Sequence, residues 1–530
     1  MSKETGKAAA RYNELLTYRD AYQRAAYDSA ALTIPALVPR VSDSPGQDDR
    51  TRATLPVPSQ SLGSRGVNNL GAKMLLALFP PNSPLFRYVI DAKVKTESEA
   101  EELQQVQELL SERESIIMAD IESSKYRPKL VEAFKQLIVA GNVLLLLTKA
   151  TMRVFRMDRY VIKRGPMGQV VEIVVRESLD KGNLPPRIKK IVEKQTYNDI
   201  DAKDDDDVIE LYTHIKREGD RYVEYQECLG EEVPDTKGSF PVESPRWLPL
   251  SFVRCDGEDY GRGYVEEYIG DLTTYNALQK AIREDAAIAA HTIFTVDPNA
   301  PPGLERQMSE APNGGYVRAD AGMIIASRTD KSGDMQIAYG TAEQLKSDLS
   351  FAFLLNSAIQ RNAERVTAQE IREVSRELEA TQGGVFSVLS EELILPVVTA
   401  HERDLEKEGK IPPLPPGLVK PAIVTGLDAI GRSADLVRLT GALQDIGMLS
   451  QMDPRVPGYL DSYGVMLEIL QGHSIVPEGI VKSKQEVEEE MAAAQQQEQQ
   501  AQMQEAGLNM VEKAGPELVK QAGGAMLGGE

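Results

Sequence analysis

Read from its start, the chain alternates apolar and polar positions with a helical period. Tyr12, Leu15, Leu16, Arg19 and Tyr22 fall at steps of three and four, which predicts a helix. A second helix starts near Ser64, carries Val67, Leu70, Met74, Leu75 and Leu78, and stops at Pro80 and Pro81. The Pro- and Ser-rich stretch 35–60 connects the two. Further helices are expected over 99–123, with Leu103, Val106, Leu110, Ile117 and Ile121 on one face, and from Pro128 to Ala140. At Gly141 and Asn142 the period changes to that of short strands, expected over 143–148, 153–155, 160–163, 170–175, 208–215, 221–227 and 250–254. Gly165 to Gly168 form a hairpin turn. This middle stretch therefore predicts a compact mixed α+β unit.

From Gly263 the helical stripe returns at Val265, Tyr268, Leu272, Tyr275, Leu278, Ile282, Ala286 and Ala289. A helix over 263–291 would be roughly 40 Å long. Seven Pro and Gly residues between Pro298 and Gly315 break the pattern, so 292–339 is expected to be loop and short strand. Helix resumes over 341–360, with Leu345, Leu349, Ala352, Leu355 and Ile359 on one face. The short polar stretch 361–366 follows, and Thr367 with Glu370 makes a capping box for another helix, ended by Gly383 and Gly384. A helix from Val385 towards Glu408 contains Pro396 and should kink there. Pro412, Pro413, Pro415 and Pro416 stiffen the next linker, helical segments resume between Asp435 and Gln471, and the tail from Ser483 is rich in Glu, Gln and Ala. The expected fold class is α+β, mainly α. By pattern alone, the helices on either side of 292–339 are an antiparallel pair in a bundle.

Composition narrows the function classes. With 530 residues the chain needs several structural regions. Its 42% hydrophobic content supports a folded core. A net charge of −21 argues against a tight grip on phosphate but allows a protein that lets DNA slide past. Two cysteines and four histidines exclude a disulfide framework and fit a reducing compartment. The first eleven residues have no apolar h-region, and the longest apolar run, 143–147, is far too short for a bilayer. A cytosolic chain without membrane contact is expected.

Catalytic motifs are near misses. Gly66 to Lys73 reads G-x-x-x-x-G-A-K, but a phosphate loop needs Lys and then Ser or Thr straight after the second Gly. The run Asp204 to Asp207 lacks the alternating ligands of a calcium loop and reads as solvated. His214, His291, His401 and His473 stand apart, Cys228 and Cys255 have no C-x-x-C partner, and no G-x-S-x-G occurs. No catalytic residue, metal site or cofactor is expected.

The stretch LSFAFLLNSAIQRNAERVTAQEIREVSRELEATQGGVFSVLSEELILPVV from Leu349 resembles the stem-to-wing passage of portal proteins, the head-to-tail connectors of short-tailed phages of the autographivirus type. LTIPALVP from Leu32, GSRGVNNLGAKMLLALFPPNSPLFR from Gly63, IESSKYRPKLVEAFKQLIVAGNVLLLL from Ile121, DGEDYGRGYVEEYIGDL from Asp256 and TGLDAIGRSADL from Thr425 are similar in the same order. Together they span about residues 10–470.

That resemblance implies a non-enzymatic ring of twelve copies at one capsid vertex. Double-stranded DNA would be packaged and ejected through its channel. The implied plan is a wing over 1–259 and 367–425, stem helices over 260–291 and 341–360, a clip over 292–340 and a tunnel loop over 361–366. A crown over 426–474 and a tail over 475–530 that could extend as a barrel helix complete it. The clip would dock the terminase large subunit and later the tail adaptor and tail tube. Scaffolding, major capsid and internal core proteins are the other implied partners. Arg361, Asn362, Glu364 and Arg365 become candidates to face DNA, and Lys280, Arg283 and Lys346 candidates to line the channel. The competing readings are an acidic helical scaffold or adaptor without a channel, and a metal-dependent nuclease. The virion, assembled in the host bacterial cytoplasm, is the expected location.

Overall fold

The apolar stripe of the first helix explains its placement. Helix α1 (Lys7–Leu32) buries Tyr12 and Leu15, and the inward-facing Arg19 donates from Nη1 to the carbonyls of Tyr160 (2.7 Å) and Met157 (3.1 Å). A buried cation is tolerated because carbonyls replace its water. The structure, a computed structural model, describes residues 7–39, 55–80, 84–90, 100–149, 151–198, 208–290, 293–312, 316–320, 324–327, 332–355, 384–414, 419–423 and 439–450 and the isolated positions 374, 377, 378, 455, 460, 464–466 and 469. The expected tunnel loop with Arg361, Asn362, Glu364 and Arg365, the capping box at Thr367, the Asp204 run, His291, His473, most of the expected crown and the tail lie outside them.

Helix α2 (Leu62–Leu78), strand β1 (Phe86–Ile90), and helices α3 (Ala100–Ser123) and α4 (Tyr126–Ala140) follow. Gly141 ends α4 at φ +72°. A Cβ there would lie 2.4 Å from the Arg262 carbonyl carbon, so only glycine allows the two backbones to cross. Beside it, Asn142 donates to Gly261 O (2.7 Å) and accepts from Gly261 N (2.8 Å), joining both sides of the crossing.

Strands β2 (Asn142–Leu147), β3 (Met152–Phe155), β4 (Tyr160–Arg164) and β5 (Val170–Asp180), helix α5 (Pro186–Asn198), and strands β6 (Val208–Glu218), β7 (Arg221–Cys228), β8 (Glu231–Glu232), β9 (Gly238–Pro241) and β10 (Trp247–Ser251) complete the middle region. Two antiparallel sheets result, β10-β2-β3 and β4-β5-β6-β7-β8 with β9 also on β7. Helix α1 covers the second sheet through Tyr12, Leu15, Val161, Val174 and Tyr212. Helix α5, which the sequence reading did not identify, buries Ile188 and Ile191 against Ile209 and Leu211.

The expected helix over 263–291 is two pieces, α6 (Tyr264–Glu267) and α7 (Ile269–Ala290). The break falls at Tyr268, where φ −107° and ψ 13° leave the helical region while the ring stays beside Tyr264 and Phe353. Strand β11 (Ile293–Val296), helix α8 (Leu304–Glu310) and strand β12 (Ile324–Ser327) lie in the insert. Helix α9 (Ser332–Ala352) starts nine residues before the expected Thr341. Met335, Ala338 and Ala342 explain this, because they continue the Leu345–Leu349 stripe backwards at steps of three and four. Its end also differs. The helix stops at Ala352, short of the expected Gln360, because Leu354 turns to φ +54°.

Helix α10 (Val385–Leu389), a π-turn (Ser390–Ile394) and α11 (Leu395–Lys407) replace the expected kinked helix. Pro396 sits in the first turn of α11, where its missing N–H costs nothing. Strand β13 (Val419–Ile423) pairs antiparallel with β1, and its Pro421 is tolerated in a two-stranded ladder with a free side. One hydrophobic cluster runs from Ala26 to Ile411. Residues 431–530 form a separate unit, in which 439–450 are helical. The mixed α+β class with helical predominance is as expected.

Candidate functional site

Helices α7 and α9 form the antiparallel pair that periodicity anticipated. The Tyr264 hydroxyl, just before α7, donates to Ala352 O at the end of α9 (2.8 Å), so the chain returns to where it left. At about 1.5 Å per residue each helix spans roughly 30 Å. Leu272, Tyr275 and Ile282 of α7 and Ala342 and Leu349 of α9 are buried in the shared core. At the other end β11 and β12 pair in register, Ile293 with Ser327 through Val296 with Ile324.

The outer faces are polar and acidic. Among the described side chains, Asp271, Glu284, Asp285, Glu343 and Asp348 outnumber Lys280, Arg283 and Lys346 five to three. All three channel candidates are exposed. Lys280 is 3.8 Å from Glu284, and Lys346 donates to Glu343 at 2.8 Å. The Glu343 hydrogen bond raises the Lys346 ammonium above its ordinary pKa. Their charge is thus partly answered on the helix itself. Ile337, Tyr339 and Phe351 remain exposed on α9, at 72%, 52% and 74%.

The junction at Phe353 was not anticipated. The ring packs edge-on to Tyr264 at 5.9 Å and fills the space a side chain would need at Gly66, whose Cβ would lie 2.5 Å from Phe353 Cγ. Asn69 Nδ2 donates to the carbonyls of Phe353 (3.1 Å) and Leu354 (2.9 Å). Lys73 Nζ donates to Leu354 O (3.1 Å) and pairs with Glu377 (2.8 Å). The G-x-x-x-x-G-A-K stretch is therefore helical and grips a helix end; its amides serve α2 instead of phosphate. A lysine next to buried Met74 was the available signal.

Two histidines sit in hydrogen-bonded clusters. His401 donates from Nδ1 to Asp120 (2.6 Å) and accepts from the Tyr126 hydroxyl at Nε2 (2.8 Å), beside a cavity of about 150 Å³. Burial pushes the Tyr126 phenol up to about 12, so it keeps its proton. The cluster ties α3, α4 and α11 together and presents no nucleophile. His214 donates from Nε2 to Glu172 (2.7 Å), which also accepts from Arg11 (2.8 Å). Cys228 is buried, and burial pushes its thiol up to about 11, while Cys255 is exposed. Among the described residues no group of three His, Cys, Asp or Glu could hold a metal ion, and no helix is long and apolar enough to cross a membrane.

Residues 5–481 match the model of the family described as bacteriophage head to tail connecting protein. The portal protein of Escherichia phage T7 is 39% identical over 492 residues, covering 91% of this chain and 89% of that protein. The portal protein of Enterobacteria phage T3 is 39% identical over 469 residues, 86% of each. A solved structure, the neck of an empty GTA particle, covers 72% of this chain and 87% of its own at 14% identity and a TM-score of 0.36. A family match over nine-tenths of the sequence, together with relatives of this identity, places the chain among the head-to-tail connecting proteins of bacteriophages, the portal proteins of the virion.

Proposed function

We propose that twelve copies of this chain close into a ring through which double-stranded DNA is packaged and later ejected. The observation that carries the reading is the helix pair α7 and α9. One long face is acidic and solvated, yet Ile337, Tyr339 and Phe351 stand open on the same pair. Exposed apolar groups on a rigid helix ask for a neighbour, and a heterologous contact repeated by rotation closes a ring. Residues 260–291 and 341–360 act as stem, 292–340 as clip, 361–366 as tunnel loop, 426–474 as crown, and 475–530 as tail, with the wing on either side.

An acidic bore repels phosphate, so DNA moves without sticking. Lys280, Arg283 and Lys346, with Arg361, Asn362, Glu364 and Arg365 of the tunnel loop, supply weak contacts repeated around the ring. Lys280 and Lys346 already face a carboxylate, so each phosphate contact replaces an existing exposed pair of small worth. The clip docks the terminase large subunit during packaging and the tail adaptor and tail tube afterwards. Scaffolding, major capsid and internal core proteins meet the rest of the ring. The protein is a connector and performs no reaction.

Electron microscopy of the purified full chain tests this. Rings with twelvefold symmetry and an open axial channel are expected. Monomers under every assembly condition, or closed particles without a channel, would favour the adaptor reading instead.

A further inference from the structure

We propose that Lys73 is a positioning residue whose buried ammonium staples together the two points at which the chain leaves the end of α9 and returns to the body. The leaving point is Leu354 and the returning point is Glu377. Both meet the same atom, Lys73 Nζ, at 3.1 Å and 2.8 Å. Lys73 is only 4% exposed. An ammonium this deep holds its position only where carbonyl and carboxylate replace its water.

The leaving point is built for this grip. Leu354 sits at φ +54°, which turns its carbonyl out of the helical ladder. Asn69, one turn before Lys73 on α2, donates to the carbonyls of Phe353 and Leu354. Gly66, one turn earlier still, leaves the space that the Phe353 ring occupies. Three residues on one face of α2 therefore provide a socket, a cap and a staple. The returning point is anchored by its own core contacts, since Val374 and Leu378 are 1% and 0% exposed. With both feet on one ammonium, a shift of either foot must break or drag the other. The end of α9 and the start of the following chain thus move as one.

The consequence for DNA rests on the proposed reading of 361–366 as the tunnel loop. That loop lies between the two feet in sequence, so the staple sets its starting and finishing points against the stem. The staple itself can stand without that reading.

Hydrogen exchange on the assembled full chain tests it. Lys73→Met should speed exchange at least tenfold in peptides covering both 350–355 and 377–378. Peptides from β5 and β6 should be unchanged. Should that variant fail to fold, Glu377→Gln keeps an acceptor and removes only the charge, and it should still speed both feet. The exchanged pair Lys73→Glu with Glu377→Lys restores an ion pair but takes the ammonium from the Leu354 carbonyl, which keeps only its bond from Asn69. There the second foot should recover while the first stays fast. Acceleration at one foot alone in either single variant, or recovery of both in the exchanged pair, overturns the staple. Packaging by Arg361→Ala with Arg365→Ala separates the two ideas. Lost packaging with wild-type exchange in Lys73→Met keeps the tunnel-loop reading and overturns the staple. Normal packaging with fast exchange at both feet does the reverse.

Discussion

The body around the sheets and the α7–α9 pair handle charge in opposite ways. In the body, a set of ionised groups is buried or half-buried in ion pairs that join distant parts of the chain. Arg113, 4% exposed, donates to Glu402 (2.7 Å), Glu406 (2.6 Å) and the Tyr88 hydroxyl (3.1 Å). Lys163 meets Asp259 at 2.9 Å, and Glu172 meets Arg11 and His214. On the helix pair, charges stand in water beside a neighbour three or four residues away. The first arrangement fixes one geometry, because a buried charge without its partner is costly. The second fixes little, because exposed pairs are worth under about 1 kcal/mol. A body built to hold its shape carries a helix pair that is open to other partners.

Removing Arg113 breaks this contrast where it is strongest. Arg113→Met should cost roughly 3 kcal/mol, since it strands Glu402 and Glu406 beneath the Pro412 linker. The same kind of change at Lys280 should cost almost nothing. Thermal unfolding of the two variants compares them directly, and equal losses would erase the distinction between the regions.

Acid probes the body next. Burial alone would raise the Glu172 carboxyl, but hydrogen bonds from His214 and Arg11 outweigh it and hold it at about 2. A folded value below the unfolded one means stability that is present above about pH 4.5 and lost as pH falls through that value towards 2. The loss is on the order of 2–3 kcal/mol. Denaturant unfolding of Glu172→Gln should show lower stability at neutral pH and a flatter acid limb than the parent. Parallel limbs would mean that this carboxylate does not anchor α1 to its sheet.

Between the two regions lies the Phe353 socket. Gly66→Ala puts a Cβ 2.5 Å from a ring with no exposed surface, so about 1–3 kcal/mol should be lost to overpacking. The damage should centre on the end of α9, and the six-stranded sheet should keep its protection. Uniform loss of protection in hydrogen exchange would show that body and helix pair unfold as one unit.

What could be read from the sequence follows the range of the interactions. Local periodicity placed α2, α3, α4 and the strands β2 to β7 to within a few residues, because one buried face repeats at 3.6 or 2.0. It missed α5, whose two buried isoleucines are too few to show a stripe among lysines. It missed β1, since Phe86 pairs with Ile423 across the length of the body and no local pattern reveals the partner. It set the end of α9 too late, because Leu355 and Ile359 extend the stripe past the point where Asn69 and Lys73 capture the carbonyls. Of the proposed DNA-facing groups, Lys280, Arg283 and Lys346 are where periodicity expects exposed side chains. The α9 junction is held by residues nearly three hundred positions away, and only the fold brings them together.

The smallest effect on stability should accompany a clear effect on transport. Replacing Lys280, Arg283 and Lys346 together by Gln removes three exposed cations from the helix pair. Each lost pair is exposed and within helical reach of its partner, so total stability should change by less than about 1 kcal/mol. The bore of the proposed ring, however, would become more acidic by three charges in every copy. If phosphate touches these groups in passing, DNA retention after packaging should fall. Its dependence on salt should weaken as well, because fewer counterions are released per contact. Retention measured across a salt series, with Arg113→Met as the folding control, separates the two effects. Unchanged retention and an unchanged salt slope would show that DNA passes without touching α7 or α9. The open character of the helix pair would then serve contact between neighbouring copies alone, through Ile337, Tyr339 and Phe351.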